Sequence, residues 1–177
     1  MSYDGLAHLR QKVDTFMQRI ADKYPGQMAC RPGCSHCCNV DLAVFPAEST
    51  RLEAALACLP EATRLAVLAR AQGNKHCVFL VDDHCVVYEE RPIICRSQGL
   101  PLLLEDSTVA MCHLNFANQD EPGDIPREDI LNLKTLNVLM SVIHRVHIKA
   151  DGLPDQRVRL VELVADASDP GESHLRR

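Results

Sequence analysis

The stretch Cys30-Arg-Pro-Gly-Cys34-Ser-His-Cys37-Cys38 constrains this chain more than any other, because it sets four thiols within nine residues, two of them side by side. A hydrophobic core has no use for that arrangement. A soft metal ion or a metal–sulfur cluster does, since thiolates are its favoured donors. Pro32 suits the first position of a helix, because its φ is already helical and its missing N–H is not needed there. A helical turn from Pro32 would place Cys34, Cys37 and Cys38 at i, i+3 and i+4, three sulfurs on one face, with Cys30 curling in from just before it. Gly33 would let the backbone approach a cluster closely. Adjacent side chains on a helix diverge by about 100°, so Cys37 and Cys38 could bind two atoms of one cluster or two separate ions.

Cys77, Cys85, Cys95 and Cys112 follow further along, and we expect them to fold back onto the first group and complete one or two centres. Disulfides are the rival use of so many thiols. The N-terminus shows no basic region followed by an apolar one, and no run approaches the roughly 18 apolar residues of a membrane span. The expectation is therefore a cytoplasmic protein, where structural disulfides are rare. Cys58, within the helical stretch 52–59 and with no partner nearby, reads as a buried small hydrophobe.

A chain of 177 residues with 46% apolar side chains can build a core of its own, so a metal need not carry all the stability. Aromatics make up only 4%, and the net charge is −5. A nucleic-acid partner would need stacking rings and a basic face, so neither nucleic acid nor membrane is expected as a partner.

Residues 3–24 read as an amphipathic helix with Leu6, Leu9, Val13, Phe16, Ile20 and Tyr24 on one stripe, Asp4 as N-cap and Pro25-Gly26 as its end. Residues 39–45 are short and mixed. Pro46 opens a helix over 46–59 with Leu52, Ala55, Leu56 and Leu59 inward, Pro60 breaks it, and residues 61–71 form another. Residues 77–88 predict a hairpin turning at Asp82-Asp83, which would bring Cys77 and Cys85 together. Residues 89–96 predict one or two helical turns, and 100–104 with 109–111 a second hairpin. The longest helix is expected over 126–148, its stripe being Ile130, Leu133, Leu136, Met140, Ile143 and Val146. A last helix is expected over 155–167, with Val158, Val161 and Val164 or Ala165 inward. The sum is a mostly α fold with a small β-hairpin element (α+β). It reads as a single metal-binding domain over residues 1–167 with a disordered tail over 168–177.

The pattern Cys30-x3-Cys34-x2-Cys37-Cys38, followed by Cys77, Cys85-x2-Tyr88-x2-Arg91-Pro92-x2-Cys95-Arg96, resembles the YkgJ-type cysteine-cluster family, named for its CxxCxxCC motif. The resemblance covers roughly residues 28–115. It implies a zinc- or iron-chelating domain of bacterial type, some of whose members are described as iron–sulfur proteins. A related domain occurs in flagellin lysine N-methylases. Family members often carry Pro where this chain has Val78, and the Cys30–Cys34 spacing is one longer than the family's shorthand. Neither departure removes a thiol.

The candidate metal ligands are thus Cys30, Cys34, Cys37, Cys38, Cys77, Cys85, Cys95 and Cys112. Four suffice for one [4Fe–4S] cluster or one four-thiolate zinc site, and eight would build two. Four thiolates outweigh the charge of either metal centre, and Arg31, Arg91 and Arg96 stand where they could offset the excess. Among the neighbouring histidines, His76 and His84 read as exposed turn residues. His113 lies beside Cys112, and His36, inside the cluster, is the best histidine candidate for a ligand or for a bond to sulfur. Adjacent cysteines suit a polynuclear centre, so an iron–sulfur cluster serving redox or protein-modification chemistry is the first expectation. A zinc module with a structural, partner-binding or metal-handling role is the second. No nucleotide loop, catalytic triad order or HExxH motif is present to name a reaction.

Overall fold

In the computed structural model, which describes residues 4–72, 76–117, 125–152 and 154–166, the first apolar stripe forms α1 (Gly5–Lys23). The Asp4 side chain caps it by accepting from the Ala7 N–H at 3.0 Å, and Leu6, Leu9, Val13 and Ile20 are buried. The remaining elements, in chain order, are β1 (Ala43–Val44), α2 (Pro46–Ala57), α3 (Glu61–Ala71), β2 (Leu80–Val81), β3 (His84–Cys85), α4 (Ile93–Ser97), β4 (Leu102–Leu103), β5 (Val109–Ala110), β6 (Leu131–Asn132), α5 (Leu133–Asp151), β7 (Val158–Arg159) and α6 (Leu160–Asp166). The fold is mostly α with short strands, as expected. Among the described residues no helix is long and apolar enough to cross a membrane. The tail expected over 168–177 lies outside the described residues.

The chain divides into two compact units, each built from two segments. The first comprises Met1–Arg31 and Pro92–Gly152. In it α4 packs on α1 and is fastened by the Arg96 guanidinium, which is buried and donates to Asp14 at 2.5 Å. The expected hairpin of β4 with β5 forms, and β6 joins β4 in parallel, Leu102 opposite Leu131. Ile20, Leu100, Phe116 and Ile125 make the core, with Phe16, Tyr24 and Met28 around it.

The third strand explains why the longest helix starts later than its periodicity suggests. Pro126 opens only a 3-10 turn, Arg127–Asp129, after which Leu131 donates its N–H to the Pro101 carbonyl at 2.8 Å. The sheet takes that backbone, and the helix begins once Asn132 caps it by accepting from Thr135 N–H at 2.8 Å. Ile130 therefore lies outside the helix, and Val146 is 60% exposed; Leu136, Met140 and His144 are the buried positions.

Asp129 closes the 3-10 turn and is fully buried, accepting from Arg19 at 2.7 Å, Lys23 at 2.5 Å and the Tyr24 hydroxyl at 2.7 Å. Burial pushes its carboxyl up, but the hydrogen bonds from Lys23, Tyr24 and Arg19 outweigh that and hold it below the ordinary 3.8. A depressed carboxyl stabilises the fold above its unfolded pKa, and that contribution is lost as pH falls through the folded value. Asp129→Asn should thus lower unfolding free energy at neutral pH by about 2 kcal/mol. In urea titrations the gap to wild type should narrow steadily below pH 3.8; a gap independent of pH would show that the carboxylate charge is not what holds the turn.

The second unit comprises Pro32–Arg91 and Leu153–Arg177. Its core joins Leu52 and Leu56 of α2, Val67 of α3, Val78, Phe79 and Leu80 at the hairpin, and Leu160, Leu163 and Val164 of α6. Ala55 and Leu59 pack against it, as their phase predicted. Pro46 starts α2 and Pro60 separates it from α3. The last helix is shorter than expected because residues 158–159 pair with β1 (Val44 opposite Val158) and Leu160 donates to the Leu42 carbonyl at 2.9 Å. That pairing shifts the buried set to Leu160, Leu163 and Val164, while Val158 and Val161 only flank it.

Candidate metal-binding site

In the second unit the cysteine loop does not become a helix. Gly33 sits at φ +90, the left-handed region, which ends any helical run begun at Pro32. The chain turns twice instead, the second turn closed by the Cys38 N–H on the Ser35 carbonyl at 2.9 Å. Cys34, Cys37 and Cys38 therefore do not share a helix face. A tertiary hydrogen bond takes over that role: Cys77 donates its N–H to the Cys38 carbonyl at 2.9 Å, tying the loop to the hairpin.

The hairpin forms as predicted, with Asp82 and Asp83 at φ 48 and 60, the positive pair a two-residue turn of this twist requires. Leu80 pairs with Cys85, and Val86 donates to the Phe79 carbonyl at 2.9 Å. Cys77 is buried at the edge of the core, and Cys85 is half-buried. The neighbouring Cys38 thiol, and to a lesser degree burial, raises the Cys37 pKa, although Cys37 is exposed at the surface. Burial, with a smaller push from Cys85, raises Cys77 to about 11. Burial, with a push from Cys37, raises Cys85 as well. The four thiols thus form a chain of electrostatic neighbours, Cys38–Cys37–Cys85–Cys77. Arg91 works the other way, favouring the thiolates of Cys37 and Cys85 while its guanidinium stacks 3.4 Å from the centre of the Tyr88 ring.

This donor set fits a thiophilic metal. Thiols that burial keeps protonated become good ligands once a cation replaces their protons, and Arg91 offsets part of the excess negative charge. The histidines differ in setting. The His84 Nδ1–H donates to the Asp82 carbonyl at 2.7 Å, and its Nε2 lies 3.5 Å from where a side chain at Gly33 would begin. His76 Nδ1 meets the Asn39 amide oxygen at 2.8 Å, and His36 is exposed.

The first unit holds Cys30, Cys95 and Cys112, all half-buried. Cys30 Sγ accepts from Asn115 Nδ2 at 3.3 Å and faces the Gln98 carbonyl at 3.8 Å. Cys95 rides on α4, and Cys112 opens a turn closed by the Asn115 N–H at 2.9 Å. Arg96 is paired with Asp14, so offsetting thiolate charge is not its visible role. Arg31 is exposed. Cys58 corrects the sequence reading: it caps the end of α2 and is exposed, not buried. All nine cysteines are free thiols. Among the described residues no three Cys, His, Asp or Glu side chains converge in ligand geometry. Sequence reasoning missed Gly99 and Asn115, which carry no local signal and matter only through their contact with Cys30.

No curated protein and no solved structure matches the chain. Residues 29–113 match the CxxCxxCC family, described as a "Putative zinc- or iron-chelating domain". The match begins one residue before Cys30 and ends one after Cys112, so it brackets all eight candidate ligands. Over that span, just under half of its length, the chain is similar to the CxxCxxCC family.

Proposed function

We propose that the protein binds an iron–sulfur cluster through its clustered thiols and uses it for redox or protein-modification chemistry in the reducing cytoplasm. What supports this reading is the similarity of residues 29–113 to a zinc- or iron-chelating domain, together with the thiols of Cys38, Cys37, Cys85 and Cys77, pairwise electrostatic neighbours within one unit and beside Arg91. Four thiolates complete the ligand set of one [4Fe–4S] cluster. Two of them are sequence neighbours in mutual contact, which suits a centre with more than one metal atom. Cys34 is the fifth thiol of that unit, and Cys30, Cys95 and Cys112 are the candidates in the other.

Each unit has an apolar core of its own, which weakens the case for zinc acting only as a structural staple. A zinc module that hands metal on or presents a surface to a protein partner is the second reading, favoured by the same thiol-rich donor set. The deciding measurement is metal and acid-labile sulfide content, with the visible spectrum, of protein purified without oxygen. A brown protein with iron and sulfide is expected. A colourless protein with stoichiometric zinc and no sulfide would overturn the cluster and leave the zinc reading.

A further inference from the structure

We infer that Asn115 is a positioning residue for a metal-bound Cys30: its side-chain amide donates an N–H···S hydrogen bond that aims the sulfur and tunes it as a ligand. The inference rests on the chelation reading above and adds to it a residue outside every motif of the chain.

Three contacts fix the Asn115 side chain, which is 3% exposed. Its Oδ1 accepts from the Ala29 N–H at 2.8 Å, one residue before Cys30. Its Nδ2 donates to the Gly99 carbonyl at 2.7 Å and to Cys30 Sγ at 3.3 Å. Both amide hydrogens and the oxygen are thereby used, so the group has one orientation. The sulfur sits against bare backbone: a Cβ at Gly99 would lie 2.1 Å from it, and Gly99 holds φ +87. A thiol serving only as core filler needs neither a dedicated amide donor nor a glycine to make room. A thiolate ligand gains from both, because a donor aimed at sulfur fixes its direction and withdraws charge from it, which raises the reduction potential of a cluster and moderates the basicity of a zinc thiolate.

The test uses the full chain, freed of metal and titrated with cobalt(II), whose sulfur-to-metal charge-transfer band reports the thiolates directly. Asn115→Ala and Cys30→Ser are combined in a double-mutant cycle. Asn115→Ala alone should weaken cobalt affinity by about 10- to 100-fold and shift the band, with far-ultraviolet dichroism unchanged. In the Cys30→Ser background the same change should cost nothing further. An unchanged affinity and band would overturn the proposal, and so would an equal loss in both backgrounds, which would mark Asn115 as packing alone. If Asn115→Ala does not fold, Asn115→Asp replaces it, keeping the acceptor for Ala29 and removing the donor to sulfur. A wild type that takes up no cobalt, zinc or iron would sink the chelation reading and the proposal with it, whereas a wild type that binds metal while the cycle is additive sinks the proposal alone.

Discussion

Serine at Cys37 or at Cys85 should strip the protein of its metal, while serine at Cys58 should leave the metal content at the wild-type level. A complete four-thiolate zinc site contributes about 10–16 kcal/mol at neutral pH, so one ligand of four accounts for roughly 3 kcal/mol, about a 100-fold loss of affinity. Cys37 and Cys85 stand in the middle of the thiol chain, each within electrostatic reach of another thiol and of Arg91. Cys58, exposed as Cys37 also is, lies at the end of α2 and outside that chain of thiols. Metal per chain after gel filtration, by elemental analysis, reads the result. Because bound metal stabilises only the folded form, the melting temperatures of the two ligand variants should fall toward that of the metal-free wild type. Retention of metal by Cys85→Ser, with its loss in Cys58→Ser, would sink the ligand assignment.

Gly99→Ala is the second large effect, and it acts on the fold before any metal is bound. The added methyl would lie 2.1 Å from Cys30 Sγ and 2.8 Å from Asn115 Nδ2, both side by side with the buried glycine. Either sulfur and amide move apart, breaking the bond between them, or the backbone shifts. Alanine must also hold φ +87, which only glycine adopts without strain. Together these should cost about 2–4 kcal/mol of unfolding free energy. Gly26 is the control: it too has a positive φ (+77), but nothing lies within 4 Å of its added Cβ. Gly26→Ala should therefore pay for backbone conformation alone. Equal losses in the two variants, by denaturant unfolding, would show that the crowding at Cys30 contributes nothing.

The sequence by itself determined most of the elements and named the candidate donors. α1, α2, α3 and the two hairpins were legible because each is local: apolar spacing, a cap and a proline or a turn pair decide it within a few residues. The thiols were legible because no core requires four cysteines in nine residues. Tertiary structure decided what depends on partners distant in the chain. Residues 131–132 and 158–159 lie in stretches of helical periodicity but are taken as strands, since β4 and β1 offer them hydrogen bonds that the local pattern cannot anticipate. Gly33 turns the cysteine loop away from a helix, and the Cys38 carbonyl finds the Cys77 N–H instead. The contact of Asn115 and Gly99 with Cys30 spans 85 and 69 residues of chain. Side chains so far apart meet only once the core has placed them, which is why a sequence rich in thiols is silent about what packs against them.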